Sequence, residues 1–227
     1  MHIEPGVVDG AKIALGVTTG TVSIALTAKL AIGSAVKDSS VTKLATRSVI
    51  CSALVVSFFQ LLPHPSVDVS EVHLILGTTL FLIFGAAPAA IGLVLGLLMQ
   101  GLFFAPADLS QFGMNVTTLI IPLLAMASIA RRVIPDDTAY TDLSYSQALK
   151  LSLVFQGGIV AWVAFWAIYG QGLGVENLAQ IGAYGASYLV VIALEPLLDL
   201  AILAAAKSFR RFENSGLPHN RLYAKAA

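Results

Sequence analysis

The chain opens with Met1 and His2, whose nitrogen atoms are placed to chelate a single metal ion. A free amine, the amide nitrogen of His2 and the His2 imidazole would form fused five- and six-membered chelate rings. Such rings hold three nitrogens in one plane, and one further imidazole completes a square. Square-planar nitrogen coordination favours divalent nickel or copper and accommodates cobalt, whereas zinc prefers a tetrahedron. We expect Met1 to be retained next to the large His2, with no cleavable leader because the start is acidic.

The sequence contains four histidines, at positions 2, 64, 73 and 219. His73 stands at the predicted start of a short helix, and we expect it to be the fourth metal ligand. His64, between two prolines in the preceding loop, is the alternative. His219 lies in a basic C-terminal stretch, where we predict no chemistry.

The elements that must position these histidines are predicted to be transmembrane helices. Hydrophobic residues make up 57% of the chain and charged residues only 11%, whereas soluble domains carry roughly a quarter charged residues. This composition predicts an all-α integral membrane protein, a single polytopic domain over residues 1–227 in a lipid bilayer. Cationic and acidic residues balance at 13 each, without a basic stripe. We therefore predict no nucleic-acid partner.

Seven apolar stretches are candidates for membrane-crossing helices, which need about 20 residues each. They are residues 11–36, 44–62, 72–84, 88–104, 114–131, 148–169 and 181–207. The third is short, and we expect it to be partly re-entrant. A tight reversal at residues 85–88 separates it from the fourth. Residues 1–10 form the N-terminal segment, residues 135–145 a polar loop and residues 208–227 a cytoplasmic tail.

The distribution of cationic residues predicts the orientation, because they mark the cytoplasmic side. Lys and Arg follow the first and seventh spans and flank the loop between the fifth and sixth. The loops predicted on the opposite face contain acidic residues and no Lys or Arg. Lys12, near the start of the first span, is the exception. We predict an N-terminus outside and a cytoplasmic C-terminus.

Polar side chains inside the predicted spans are costly unless they have partners. Glu195 and Asp199 are four residues apart and share one face of the seventh helix, and Lys29 is a candidate counter-ion for them. An ion path, a contact with a partner subunit and an interhelical salt bridge all remain open. Gln60 and Asn115 are predicted either to hold the N-terminal segment by hydrogen bonds or to bridge helices.

Two small residues, Gly16 and Gly20, stand four apart on the first predicted helix. A small-xxx-small pair lets another helix approach closely. Internal packing and docking of a partner subunit would both use such a surface.

Several short motifs occur in an order that one membrane-protein family shares. They are Met-His-Ile-Glu-Pro-Gly at residues 1–6, Phe-Phe-Gln at 58–60 before prolines 63 and 65, His-Leu-Ile-Leu-Gly at 73–77, Ala-Pro at 87–88, Gln-Gly-Leu-Phe-Phe at 100–104 and Gly-Met-Asn at 113–115. This pattern resembles the CbiM/NikM family, the substrate-binding membrane components of energy-coupling-factor nickel and cobalt transporters. The resemblance covers residues 1–122 by motif and the remainder by topology. Residues 68–72 depart from it, since the family has Gly-Thr-Ser-Gly there.

The resemblance implies a substrate-capture component of an ATP-driven uptake system in the bacterial cell (inner) membrane. Nickel or cobalt would be the transported substrate, and no organic cofactor is implied. The implied ligands are the Met1 amine, the His2 amide and imidazole, and the His73 imidazole. The implied partners are separate ATPase subunits and a transmembrane coupling subunit. The chain itself lacks a Gly-x-x-x-x-Gly-Lys-[Ser/Thr] phosphate loop.

Two alternatives to this function remain open. The chain could be a stand-alone secondary permease for a divalent cation, or a divergent assembly subunit that has lost the metal. A membrane enzyme is disfavoured because neither Gly-x-Ser-x-Gly nor His-Glu-x-x-His occurs in the sequence.

Overall fold

A computed structural model describes residues 3–37 and 40–224 of the chain. The α-helices of this part are α1 Ile13–Lys37, α2 Val41–Leu61, α3 Gly77–Phe84, α4 Ala86–Phe103, α5 Phe112–Val133, α6 Tyr145–Gln171 and α7 Val175–Ser208. All except α3 are long and apolar enough to cross a membrane. A small antiparallel hairpin, β1 Ser66–Val67 and β2 Ser70–Glu71, joins α2 to α3. The helical prediction is therefore correct apart from this hairpin and the third span.

The third predicted span is helical only in its second half. Helix α3 has eight residues, about 12 Å of helix against about 30 Å of hydrocarbon. The prediction of a helix is wrong for residues 72–76, because Val72 donates its backbone N–H to Pro65 at 3.0 Å, beside the hairpin. Leu76 then turns the chain in a left-handed conformation, at φ +54°. A Cβ at Gly77 would lie 2.3 Å from the Phe155 ring, so α6 packs directly over the start of α3.

The predicted reversal at residues 85–88 is a break at one residue. Gly85 adopts φ +95°, a conformation that glycine reaches without steric cost. Its N–H donates to Phe81 at 2.9 Å and its carbonyl accepts from Ala89 at 3.2 Å, so it ends α3 and begins α4. Pro88 lies within the first turn of α4, where its missing N–H removes no helical hydrogen bond.

The small-xxx-small pair of α1, Gly16 and Gly20, serves internal packing. A Cβ at Gly20 would lie 2.5 Å from the Cα of Gly113 on α5, and a Cβ at Gly113 would lie 2.3 Å from the carbonyl oxygen of Gly16. Helices α2 and α4 meet in a similar way, because a Cβ at Gly92 would lie 2.4 Å from that of Cys51. Cys51 is fully buried in this contact.

The C-terminal residues fold back onto the end of the bundle opposite the hairpin. Arg47 of α2 is buried and donates to the carbonyl oxygens of Gly216 at 3.0 Å and Pro218 at 2.8 Å. The backbone N–H of His219 donates to Ile83, in the last turn of α3, at 2.6 Å. We call this end of the bundle, with residues 210–224, the tail end. The opposite end, with the hairpin, His64 and His73, is the histidine end.

The predicted polar loop at residues 135–145 and the predicted tail pack together. The ring of His219 stacks on Tyr140 with 5.6 Å between centroids, and the Arg221 guanidinium lies 5.2 Å from the same ring. Burial raises the pKa of the Tyr140 phenol, against the lowering effect of Arg221. Much of the tail is thus a folded cover over the tail end.

The close contact between α1 and α5 predicts a cost for adding one methyl group. Gly113→Ala should lower the thermal denaturation midpoint in detergent, because overpacking costs about 1–3 kcal/mol. Gly33→Ala is the matched control on α1, since a Cβ there meets nothing within 4 Å. Equal midpoints for the two variants would show that the helices separate without cost.

Candidate metal centre

The N-terminal segment is bound to the hairpin and to α5. Ile3 is fully buried and forms an antiparallel bridge with Ser70 of β2, and Glu4 donates its N–H to Val69 at 3.3 Å. The N–H of Ile3 donates to Oδ1 of Asn115 at 3.0 Å. Of the two roles considered for Asn115, this hydrogen bond corresponds to the first, contact with the N-terminal segment. The predicted ligands Met1 and His2 lie outside the described residues.

The next residues of the segment seat against α6 and the start of α5. Val7 and Val8 are buried, and Nε2 of Gln111 donates to the Val8 carbonyl at 3.2 Å. A Cβ at Gly170 would lie only 1.8 Å from the Val7 carbonyl oxygen, so α6 accepts the segment only because residue 170 is glycine. Lys12, the exception in the charge pattern, donates to the Gly170 carbonyl at 2.8 Å.

His73 is buried beside the hairpin, and its tautomer is set by a carboxylate. Its Nε2 lies 2.7 Å from Oε2 of Glu71, an arrangement in which Nε2–H donates to the carboxylate. Nδ1, which is also buried, then carries the lone pair. A carboxylate on one ring nitrogen is the usual support of a histidine that binds metal through the other. Phe59 of α2 packs edge-on against the ring, at 5.1 Å.

His64 is brought next to His73, although eight residues lie between them in the chain. The two imidazoles are parallel, with 5.1 Å between centroids and 3° between planes. His64 is exposed, and its Nδ1 lies 2.9 Å from the Leu62 carbonyl oxygen. If Nδ1–H donates to this carbonyl, Nε2 is the atom left to bind a metal. The two histidines predicted as alternatives are therefore neighbours.

Gln60 does not hold the N-terminal segment through any hydrogen bond within the part of the chain that the structure describes. It is half-buried in the last turn of α2. The neighbouring residue, Phe59, is the one that contacts His73. A role for Gln60 at the site remains a prediction.

Carboxylates that sequence reasoning did not assign to the site surround it. Glu71 contacts His73 directly, and Oε1 of Glu4 accepts a hydrogen bond from the Ser66 hydroxyl at 2.5 Å. Glu71 and Glu4 both act electrostatically on Asp108. The spacing of Glu71 and His73 was the available signal, because residues two apart share a face in extended chain.

No three His, Cys, Asp or Glu side chains converge as a cation site within residues 3–37 and 40–224. The described residues thus bring His73 and His64 together and seat the N-terminal segment beside the hairpin.

The intramembrane charges pair differently from the prediction. Lys29 is exposed on α1, and no ion pair joins it to Glu195 or Asp199 among the described residues. Glu195 instead accepts hydrogen bonds from Ser152 and Gln156 of α6. The assignment of Lys29 as their counter-ion is wrong because α1 turns this side chain away from the bundle core.

Comparisons with known proteins agree with this architecture. A family model described as the cobalt uptake substrate-specific transmembrane region matches residues 2–212. A crystal structure titled as that of a transition metal transporter aligns with a TM-score of 0.70 and 19% identity, covering 96% of both chains. At this identity the likeness shows a shared fold. A search of curated proteins gave no match.

The family match includes the N-terminal segment, the hairpin, His73 and all seven helices. It associates the chain with metal uptake and not with an enzyme activity. The chain belongs to the CbiM family, the substrate-specific transmembrane components of cobalt uptake.

Proposed function

We propose that the chain is the substrate-capture component of an ATP-driven nickel or cobalt uptake system, and that it binds the ion at the histidine end. The observation that carries the proposal is the pairing of Glu71 with a buried His73, beside a firmly seated Ile3. The carboxylate leaves Nδ1 of His73 as a metal donor. The bridge between Ile3 and Ser70, three residues before His73, brings the start of the chain to the same place.

The proposed ligands are the Met1 amine, the His2 amide nitrogen and imidazole, and the His73 imidazole. The proposal is supported by the position of Ile3, the residue that follows Met1 and His2 in the chain, which is bound at this end of the bundle. Asn115 supports the arrangement by fixing the Ile3 N–H. The ligand nitrogens must be deprotonated to bind, so affinity should fall in acid.

The orientation follows from the charge pattern. We infer that the histidine end faces the outside of a bacterial cell (inner) membrane and that the tail end is cytoplasmic, since the cationic loops lie at the tail end. Lys12 is compatible with this orientation because its ammonium group bonds to the Gly170 carbonyl. Separate ATPase subunits and a transmembrane coupling subunit would drive inward release, because this chain has no phosphate-binding loop.

The N-terminal chelate predicts that one extra residue abolishes binding. Calorimetric titration of nickel and of cobalt into purified protein should show tight binding, which is lost when one residue is added before Met1. The added residue converts the amine into an amide and removes the chelate geometry. One residue added after Ala227 is the control.

Binding that survives the N-terminal addition would move the site away from Met1. Absence of binding to the unaltered protein would favour the metal-free assembly subunit. Metal uptake by the chain alone, abolished by an uncoupler and not by ATP depletion, would favour the secondary permease.

The carboxylate behind His73 predicts a loss of affinity without loss of a ligand. Glu71→Gln should weaken nickel and cobalt binding by roughly 10–100-fold, because removal of such a support costs that much in metal sites. Asp68→Asn is the matched control, since Asp68 is exposed in the same hairpin at φ +50°, a conformation that asparagine tolerates. Unchanged affinity of Glu71→Gln would contradict the assignment of His73 as a ligand.

The contact of the N-terminal segment with Gly170 predicts that a substitution there also lowers metal affinity. Gly170→Ala should displace the Val7 carbonyl and weaken metal binding while leaving the helices folded, as measured by calorimetry and circular dichroism. Gly182→Ala is the control, because a Cβ there meets nothing within 4 Å. If Gly170→Ala binds metal as tightly as the control, the position of residues 3–8 does not determine the site.

A further inference from the structure

Two acidic residues are completely buried on one face of α7. Glu195 and Asp199 both have zero exposure and are separated by one helical turn. Helix α6 faces them with Ser152 and Gln156, and α3 faces them with Thr79 and its neighbours. The cluster lies within the spanning part of α7, away from the histidines.

Hydrogen bonds tie this cluster to both neighbouring helices. Oε2 of Glu195 accepts from the Ser152 hydroxyl at 2.7 Å and from Nε2 of Gln156 at 3.0 Å. The Thr79 hydroxyl donates to Oδ1 of Asp199. The backbone amides of Thr78 and Thr79, in the first turn of α3, also interact with the two carboxyl groups.

The groups around Glu195 and Asp199 supply too little positive charge to neutralise two ionised carboxylates. The start of a helix supplies the equivalent of about half a positive charge, and the other described groups that act on the pair are neutral hydroxyls and amides. The titratable group that faces it from α7 is Tyr188, while α6 and α3 contribute no titratable partner among these contacts. Two ionised carboxylates in such a site repel each other at low dielectric, so one proton is retained.

An excess of hydrogen-bond acceptors over donors in the cluster is independent evidence for a bound proton. Oε1 of Glu195, Oδ2 of Asp199 and Oε1 of Gln156 are buried without a hydrogen-bond donor among the described residues. All three are acceptors when the carboxyl groups are ionised. A proton on one carboxyl group converts an acceptor into an O–H donor that a neighbouring oxygen can receive.

We propose that Glu195 and Asp199 form a buried proton-binding site that keeps one proton at neutral pH. The proton reduces the repulsion between the carboxyl groups and still leaves one negative charge against the start of α3. The site is distinct from the metal centre and uses no residue of it.

Two tyrosines of α7 lie between this proton site and the histidine end. Tyr184 and Tyr188 lie on the same buried face of α7 with 4.9 Å between ring centroids. Tyr184 interacts with Ser70, the residue that pairs with Ile3, and Tyr188 lies within the electrostatic reach of Glu195. Both tyrosine hydroxyls are buried without a hydrogen-bond partner among the described residues.

The role of the proton rests on the proposed function. Chelation by the His2 amide displaces its proton, and release of the metal must return one. When the metal–nitrogen bond breaks, the nitrogen keeps the electron pair and takes up a proton, for which the buried carboxyl pair is the source. The carboxyl group becomes a carboxylate and is protonated again from water. The pair thus supplies the proton that inward release consumes.

Infrared spectroscopy of the purified, metal-free protein tests the proton site without reference to metal. At neutral pH we expect a carbonyl stretch of a protonated carboxyl group, above the amide I band, that exchanges slowly in D2O. Glu195→Gln or Asp199→Asn should remove or shift this band, and Glu176→Gln, at an exposed glutamate of the same helix, should not. Absence of the band in the unaltered protein, or its persistence in both variants, would overturn the proposal.

The spectrum of the unaltered protein tests the proton site even if the variants do not fold. Glu195 and Asp199 are the only fully buried carboxyl groups in residues 3–37 and 40–224. Calorimetry, together with uptake by the complete transporter, then tests whether the proton takes part in metal release. Glu195→Gln should keep nickel and cobalt affinity and lose most of its uptake. The variant with one residue added before Met1 tests only the proposed metal site, through its affinity for nickel and cobalt. The proposed function and the proposed proton site can therefore fail separately. Unimpaired uptake by Glu195→Gln would remove the release role.

Discussion

A backbone inside hydrocarbon must satisfy its own polar groups, and the buried start of α3 is where this constraint shapes the protein. Helix α3 begins within the bundle, with Leu76 as a cap that supplies no side-chain hydrogen bond. The first amides of the helix instead meet Glu195 and Asp199 of α7. These carboxyl groups in turn require the hydroxyl and amide donors of α6. Three helices are therefore joined through one polar cluster.

The break in α3 makes the histidine end possible. Because residues 72–76 are not helical, His73 lies beside the hairpin, where it contacts Glu71 and His64 as well as Phe59 of α2. The segment is then fixed by groups at the ends of long helices, such as Asn115 near the start of α5 and Gly170 near the end of α6. Irregular chain positioned by a rigid scaffold is where the binding residues of proteins are disproportionately found.

Three cations that look alike in the sequence have different roles in the structure. Lys12 bonds to the end of α6, Arg47 is buried and binds the C-terminal residues, and Lys29 is exposed on α1. A rule that counts charges on each side of a membrane treats them as equal. Their surroundings differ because burial and carbonyl partners depend on how the helices pack. The C-terminal residues, which fold over the last turn of α3 and are bound by Arg47, are an example of such packing.

The sequence alone determined the class of protein and the six long spans, and it proposed Met1, His2 and His73 as candidate ligands; for Asn115 it left two roles open. Hydropathy over some 20 residues is enough for the spans, and the side-chain types are enough for the metal chemistry. Only the tertiary structure decided that α3 starts at Gly77, that Glu71 contacts His73 and that His64 stacks on His73. It also decided that Glu195 accepts its hydrogen bonds from α6 and forms no ion pair with Lys29 among the described residues. These features depend on polar groups that meet across distant parts of the chain. Local hydropathy reports whether a segment prefers lipid, and carries no information on which buried polar group finds which partner.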